Sequence, residues 1–130
     1  MRFIPTRLHA IADYAVGIAL IALPFILGWS GAQRSVLIII GAVVIIYSLL
    51  TDYEFGVLPA IPVRVHLLLD AAVGVALILS PWLFGPAPMS LWPYLTFGVL
   101  SLFFAATTKH HAETRNSYES VVRPQQRDSK

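Results

Sequence analysis

The chain has no cysteine, and its charged residues are few and unevenly placed. The lack of cysteine excludes disulfide bonds and thiolate chemistry, including cysteine-ligated metal centres. Charged residues make up 12% of the chain, against roughly 25% in soluble domains. Between Tyr14 and Thr51 only Arg34 is charged, and residues 71–108 carry no charge. Neither stretch is typical of a soluble protein.

Apolar residues make up 57% of the 130 residues, above the about 45–50% of soluble domains. A bilayer accommodates long uncharged segments because the solvent around the helices is itself apolar. The net charge of +2 does not indicate nucleic-acid binding, because the basic residues lie at segment ends and form no basic face. The composition therefore predicts a membrane protein whose partner is the lipid bilayer, with no nucleic acid.

One sequence occurs twice, 57 residues apart: IPTRLH at 4–9 returns as IPVRVH at 61–66. The same offset, without a gap, relates further pairs: Asp13 and Asp70, Gly17 and Gly74, Pro24 and Pro81, Gly28 and Gly85, Gly41 and Gly98, Thr51 and Thr108. The chain is therefore a duplicated unit, and the polar residues shared by both copies are the candidates for a site.

Four apolar segments, separated by turns that contain proline or glycine, predict an all-α bundle of four transmembrane helices. The predicted spans are residues 8–29, 35–51, 65–85 and 91–108. Each approaches the roughly 20 residues that cross a hydrocarbon core, although the second and fourth are short. They define a membrane domain over residues 1–108, with repeat 1 at about 4–51 and repeat 2 at about 61–108. Residues 109–130 are mostly polar, and we expect them to form a cytoplasmic tail.

The basic residues predict the orientation of the chain. With both termini cytoplasmic, Arg34 is the only basic residue outside, as the positive-inside rule favours for a multi-pass protein of the cell (inner) membrane. Because each repeat has two spans, both repeats enter the membrane in the same direction. We expect parallel hairpins related by a pseudo-two-fold axis along the membrane normal, unlike inverted transporter repeats. Assembly with a second copy, or with another membrane protein, stays open.

The tripeptide Ser80-Pro81-Trp82, followed by Gly85, lies late in the first helix of a two-helix unit. This pattern resembles the SPW-repeat family of small bacterial membrane proteins, over roughly residues 4–108. The first copy departs from the pattern with Leu23-Pro24-Phe25, so that only the proline and the later glycine persist. The resemblance implies the two-span architecture. It transfers no catalytic residue, since the family has no established biochemical activity.

Helical spacing places the duplicated residues on one face of each first helix. At about 100° per residue, one arc of about 100° contains His9, Asp13, Gly17, Pro24 and Gly28. The equivalent arc of the second repeat contains His66, Asp70, Gly74, Pro81 and Gly85. Lipid does not need His or Asp, so we expect both arcs to face the protein interior.

The glycines on these helices predict close packing, because a missing side chain lets two backbones approach. Gly17 and Gly74 are expected to let the first and third helices meet near the pseudo-axis. Gly41 and Gly98 are expected to play a similar role on the second and fourth helices.

The prolines predict a kink or an end in the first and third helices. Pro24 and Pro81 each lack the amide donor of a helical hydrogen bond. The carbonyls this leaves free, at Leu20 and Leu77, could accept another bond.

The carboxylates of Asp13 and Asp70 need partners, because a charged Asp within hydrocarbon is costly. Asp13 lies about 6 Å deeper along its helix than His9. The nearest candidates are the imidazoles of His9 and His66, either one turn away on the same helix or across the pseudo-axis.

Three interpretations of these four residues stay open. In the first, they form a hydrogen-bonded cross-brace that fixes helix packing and register. In the second, His9, Asp13, His66 and Asp70 form a site for Zn²⁺ or another divalent metal, or an ion or proton pathway. In the third, the two His ligate a haem from opposite faces.

The chain shows no nucleotide-binding glycine motif and no nucleophile–base pair, so we expect no enzyme activity. The function that the sequence favours is a structural or interaction bundle with an internal His–Asp network. The alternative is a metal- or ion-binding bundle, similar to a transporter component, that uses the same four residues.

Overall fold

A computed structural model describes residues 3–84 and 90–109. Within these residues the chain forms four helices: α1 Thr6–Ile26, α2 Gly31–Leu49, α3 Val63–Leu83 and α4 Trp92–Thr107. The all-α prediction is confirmed, with α1 and α3 each beginning two residues earlier than expected. Gly85 and most of the predicted cytoplasmic tail, residues 110–130, lie outside the described residues.

Three of the helices are long and apolar enough to cross a membrane. α1 and α3 have 21 residues each and α2 has 19, with mean hydropathies of 1.8, 1.8 and 1.9. α4 is shorter, at 16 residues. Large apolar side chains such as Ile18 and Leu68 are 61% and 70% exposed, whereas polar residues occupy the interior. This inverted distribution fits a lipid environment, in which only the interior offers polar groups a partner.

The two repeats form two hairpins, in which α1 packs on α2 and α3 packs on α4. Glycine permits both contacts. A Cβ atom at Gly41 would lie 2.7 Å from the Gly17 carbonyl oxygen, and one at Gly98 would lie 2.8 Å from that of Gly74. The expectation that Gly17 and Gly74 bring α1 and α3 together is therefore wrong. These glycines face the second helix of their own hairpin, where two backbones meet.

Both proline-containing helices end shortly after the proline. α1 ends two residues beyond Pro24, and α3 ends two residues beyond Pro81. Pro81 cannot donate to the Leu77 carbonyl, and the Ser80 hydroxyl donates to that oxygen instead, at 2.8 Å. The Ser80 hydroxyl thus replaces the backbone hydrogen bond that Pro81 cannot make. The repeat equivalent of Ser80 is Leu23, which has no hydroxyl for this purpose.

Short backbone pairings join the start of each repeat to the end of the other. Ile4 pairs with Thr108, and Ile61 pairs with Thr51, both in parallel. The Lys109 amide donates to the Ile4 carbonyl at 3.0 Å, and the Asp52 amide donates to the Ile61 carbonyl at 2.9 Å. Because Ile61 and Thr108 are the repeat equivalents of Ile4 and Thr51, the two pairings obey the pseudo-two-fold symmetry. They hold the hairpins together at the helix ends that carry the shared His and Asp.

An apolar core fills the opposite half of the bundle. Its fully buried members are also repeat equivalents: Leu20, Leu37, Leu77 and Tyr94. Trp29 stacks on Tyr94 with 5.8 Å between ring centroids, so it packs against the core, whereas Trp82 is 65% exposed. The polar residues are therefore concentrated at one end of the bundle.

The glycine contact gives a first prediction. Gly41→Ala is expected to lower the free energy of unfolding in detergent by about 1–3 kcal/mol, because the added methyl group meets the α1 backbone. Val43→Ala is the matched control, because Val43 is 46% exposed on the same helix, and it should change stability by about 0.5 kcal/mol or less. Equal effects of the two substitutions in a denaturant titration would argue against the close contact.

Candidate functional site

The candidate site lies between α1 and α3, near the beginning of each helix. Each helix contributes a His and an Asp spaced four residues apart, which directs both side chains to the same face. The exposed fractions of His9, Asp13, His66 and Asp70 are 1%, 7%, 0% and 3%. All four predicted residues are thus buried, and the structure brings them to one place.

The four side chains meet through one atom each. The Nε2 atoms of His9 and His66 are 3.3 Å apart. His9 Nε2 lies 2.8 Å from Asp70 Oδ2, and His66 Nε2 lies 3.0 Å from Asp13 Oδ2. The contacts within a helix are longer, at 3.4 Å for His9 and Asp13 and 3.2 Å for His66 and Asp70. Each carboxylate is therefore held more closely by the imidazole of the other repeat than by that of its own.

The other nitrogen of each imidazole contacts a threonine at the end of the second helix of a repeat. Thr51 Oγ1 lies 2.7 Å from His66 Nδ1, and Thr108 Oγ1 lies 2.8 Å from His9 Nδ1. Both threonines are fully buried. Thr51 of repeat 1 contacts His66 of repeat 2, and Thr108 of repeat 2 contacts His9 of repeat 1. This agrees with the backbone pairings, which also join the end of one repeat to the start of the other.

The tyrosine contacts break this symmetry. The Tyr47 hydroxyl donates to Asp70 Oδ1 at 2.5 Å. The repeat equivalent of Tyr47 is Phe104, which packs edge-on to His9 at 5.6 Å but has no hydroxyl. Asp13 receives instead a longer contact from Tyr53, at 3.4 Å. Asp70 is thus the more firmly held of the two carboxylates.

Tyr53 belongs to the segment that links α2 to α3, and its ring lies 5.3 Å from that of His66. Burial raises the pKa of Tyr53 above its ordinary value. The phenol therefore stays neutral and can act as a hydrogen-bond donor toward Asp13.

A small cavity adjoins the two carboxylates, and neither imidazole lines it. Its polar lining residues are Asp13, Tyr47, Asp70 and Ser101, and apolar residues of all four helices supply the rest. Both carboxylates thus contact the imidazoles and also border a mostly apolar cavity.

The arrangement is chemically suited to a cation and not to a haem. Four nitrogen and oxygen donor atoms, one from each side chain, lie within 4.8 Å of one another. Asp70 Oδ2 and Asp13 Oδ2 lie 2.8 Å and 3.4 Å from His9 Nε2, so the two carboxylates occupy space beside the nitrogens that a haem macrocycle would need. The geometry therefore favours a metal ion over a haem at this site.

Some members of the site were not predicted from the sequence. Thr51 and Thr108 carried a usable signal, because they share the repeat offset of the His and Asp pairs. Tyr47 and Tyr53 carried none, since Tyr47 corresponds to Phe104 and Tyr53 to His110. Residue 110 lies outside the described residues.

The Tyr47 contact gives a second prediction. Tyr47→Phe is expected to destabilise the protein by about 1–3 kcal/mol, because it leaves Asp70 Oδ1 without this donor in a buried position. Tyr94→Phe is the matched control, since the Tyr94 hydroxyl donates to the Gln33 carbonyl at 3.3 Å in the apolar half of the bundle, away from the His–Asp cluster. Thermal unfolding in detergent compares the two. A Tyr94→Phe effect as large as that of Tyr47→Phe would contradict the special role of the Asp70 contact.

Comparison with known proteins identifies the family of the chain. The family model of the SPW repeat domain matches residues 5–108, which include both repeats and all four buried His and Asp residues. The chain therefore belongs to the SPW repeat family, as the tripeptide at 80–82 predicted. Neither a curated protein nor a solved structure matches it significantly.

Proposed function

We propose that this SPW repeat membrane protein binds one divalent transition-metal ion, Zn²⁺ in the first instance, inside its helical bundle. His9, Asp13, His66 and Asp70 are the proposed ligands. The observation that carries the proposal is the convergence of one donor atom from each of these four buried side chains. The proposal assigns no catalytic step to the chain.

The distances between the donor atoms support a tetrahedral centre. Ligands at about 2.0–2.2 Å from Zn²⁺ are separated by about 3.3–3.6 Å along the edges of a tetrahedron. The separations between His Nε2 and the other donor atoms range from 2.8 Å to 3.4 Å. Along these five edges an ion at the centre would need the ligands to move by about half an ångström or less, and the sixth edge, between the two carboxylate oxygens, lies within 4.8 Å.

Charge balance supports the same proposal. Two carboxylates buried in a bundle with an apolar exterior are costly unless a positive charge compensates them. A divalent cation with two carboxylates and two neutral imidazoles has a net charge of zero. Arg7 and Arg64, the nearest basic residues along the chain, are exposed.

The donor types favour a transition metal over Mg²⁺ or Ca²⁺. Two imidazoles suit Zn²⁺, Fe²⁺, Ni²⁺ or Cu²⁺, whereas the hard alkaline-earth ions prefer oxygen ligands. A four-coordinate arrangement favours Zn²⁺ within this group, because Zn²⁺ is most often tetrahedral in proteins.

A hydrogen-bonded cross-brace between the hairpins is the second candidate. The contacts of 2.8 Å and 3.0 Å between each imidazole and the opposite carboxylate are also ordinary hydrogen-bond lengths. In this case the four residues hold the two hairpins in register, and no metal is required. Metal binding separates the two candidates.

The proposal gives a third prediction. The detergent-purified protein is expected to bind one Zn²⁺ or Co²⁺ per chain, and bound Co²⁺ should show the strong visible absorption of a tetrahedral centre. Loss of a residue that only hydrogen-bonds to a metal ligand typically weakens metal binding by about 10–100-fold. His9→Ala and His66→Ala each remove a ligand itself, so each should weaken metal binding by more than this.

Asp52→Asn is the matched control for this experiment. Asp52 is an exposed carboxylate in the segment between the hairpins, so its loss should leave metal binding unchanged. Absence of stoichiometric Co²⁺ and Zn²⁺ binding to the wild-type protein would rule out the metal site. If His9→Ala then lowered only the stability of the bundle, the cross-brace would be the function of these residues.

The proposed location of the site follows from the orientation of the chain. We place both termini on the cytoplasmic side of the cell membrane, because this puts all basic residues except Arg34 inside. The His–Asp cluster then lies close to the cytoplasmic surface. The proposed partners are the lipid bilayer and either a second copy of the chain or another membrane protein.

The lack of native cysteine makes this orientation directly testable, as a fourth prediction. In intact cells, an Ala32→Cys variant should react with a membrane-impermeant maleimide, because Ala32 is exposed at the start of α2. An Asp52→Cys variant should react only after the membrane is permeabilised. The opposite labelling pattern would reverse the proposed orientation.

A further inference from the structure

We propose that Thr51 and Thr108 are positioning residues that fix the protonation of both histidines at Nδ1 and so direct Nε2 to the centre of the site. The inference rests on the proposed metal site for its functional consequence. Its structural basis is independent of the metal. It depends only on which atom supplies the proton in each hydrogen bond that the two threonine hydroxyls make.

The proton of each threonine hydroxyl is already used within its own helix end. Thr51 Oγ1 lies 2.6 Å from the Tyr47 carbonyl oxygen, and Thr108 Oγ1 lies 2.7 Å from the Phe104 carbonyl oxygen. Two oxygens at this distance need a proton between them. The carbonyl has none, so the threonine must donate its single proton to the carbonyl.

The imidazole must then supply the proton of the second contact. His66 Nδ1 and Thr51 Oγ1 are 2.7 Å apart, and His9 Nδ1 and Thr108 Oγ1 are 2.8 Å apart. With its proton committed, each threonine oxygen can only accept, so Nδ1 donates in both rings. The same chain of bonds occurs twice at symmetric positions, each time between different repeats.

This chain of hydrogen bonds determines which imidazole nitrogen can bind a metal ion at the centre of the site. A neutral imidazole has one N–H, and placing it on Nδ1 leaves the Nε2 lone pair available to a metal ion. Without a metal, the contacts of 2.8 Å and 3.0 Å between Nε2 and the opposite carboxyl oxygen need a further proton, on the ring or on the carboxyl group, which the metal would replace. Both Nε2 atoms face the centre of the cluster, only 3.3 Å from each other. Ligand histidines generally donate their second N–H to a fixed acceptor, which sets the ring orientation and the ligating nitrogen. Thr51 and Thr108 provide that acceptor.

The inference also explains why both repeats are needed for one site. Thr51 belongs to repeat 1 and orients His66 of repeat 2, while Thr108 belongs to repeat 2 and orients His9 of repeat 1. In the described structure, each of these histidines therefore bonds to the threonine of the other hairpin.

The first test compares metal affinities of threonine variants of the full chain. Thr51→Val and Thr108→Val keep the side-chain shape but remove the acceptor, and each should weaken Zn²⁺ or Co²⁺ binding by about 10–100-fold. Thr51→Ser and Thr108→Ser keep the hydroxyl and should restore affinity to near the wild-type value.

Thr107 provides a matched control within the same turn. Its hydroxyl donates to the Phe103 carbonyl at 2.7 Å, the same type of bond that Thr108 makes, and this bond is exposed. Thr107→Val should therefore leave metal affinity unchanged. Affinities of Thr51→Val and Thr108→Val within twofold of the wild type, or a loss equal to that of Thr107→Val, would overturn the proposal.

The second test reads the protonation directly by ¹⁵N NMR of histidine-labelled protein, with His110→Gln and His111→Gln to simplify the spectrum. In the Zn²⁺-loaded protein, both rings should carry a proton on Nδ1 and bind the metal through Nε2. Thr51→Val should alter the signals of His66 and not those of His9, and Thr108→Val should do the reverse. Metal bound through Nδ1 would overturn the proposal.

The metal-free protein separates failure of this inference from failure of the proposed function. Whether or not the wild-type chain binds metal, Nδ1 should carry a proton in both rings. A neutral ring protonated only at Nε2 would overturn the positioning role of the threonines. Nδ1 protons in a protein that binds no metal would keep that role and reject the metal site alone.

Discussion

The structure depends on the requirement that two carboxylates buried in a membrane bundle be compensated. Asp13 and Asp70 lie inside a protein whose outer surface is apolar, and they meet the imidazoles of His9 and His66. The shorter contacts run between repeats, so neither hairpin can provide the closest partner of its own carboxylate. The polar cluster therefore holds the two hairpins together at a place where lipid offers no alternative partner.

The duplication makes the cluster symmetric, and differences between the two repeats then make the surroundings of its two carboxylates unequal. The parallel pairings of Ile4 with Thr108 and of Ile61 with Thr51 place the end of one repeat beside the start of the other. Two equivalent threonines reach two equivalent histidines as a result. Tyr47 has Phe104 as its counterpart, so only Asp70 receives the short tyrosine bond. Of the two carboxylates of the proposed centre, Asp70 is therefore held more tightly than Asp13.

The tripeptide that marks the family has an architectural role in this protein. Pro81 removes a backbone donor, and the Ser80 hydroxyl bonds to the carbonyl that is left at Leu77. Trp82 points to the exterior and is 65% exposed, as expected for an aromatic side chain at a membrane interface. The tripeptide thus lies at the C-terminal end of α3, at the end of the bundle opposite to the His–Asp cluster. The candidate chemistry belongs to other residues, which come from both repeats.

The sequence by itself determined the helices, the duplication and the internal face that carries His9, Asp13, His66 and Asp70, because these follow from hydropathy and from the helical period. It could not determine which imidazole meets which carboxylate, since local spacing is identical for both repeats and only the approach of two hairpins sets the distances. For the same reason it assigned Gly17 and Gly74 to the wrong helix pair and gave no signal for Tyr47. Tertiary structure decided these contacts and the threonine bonds that orient the histidines, because they join residues far apart in the chain.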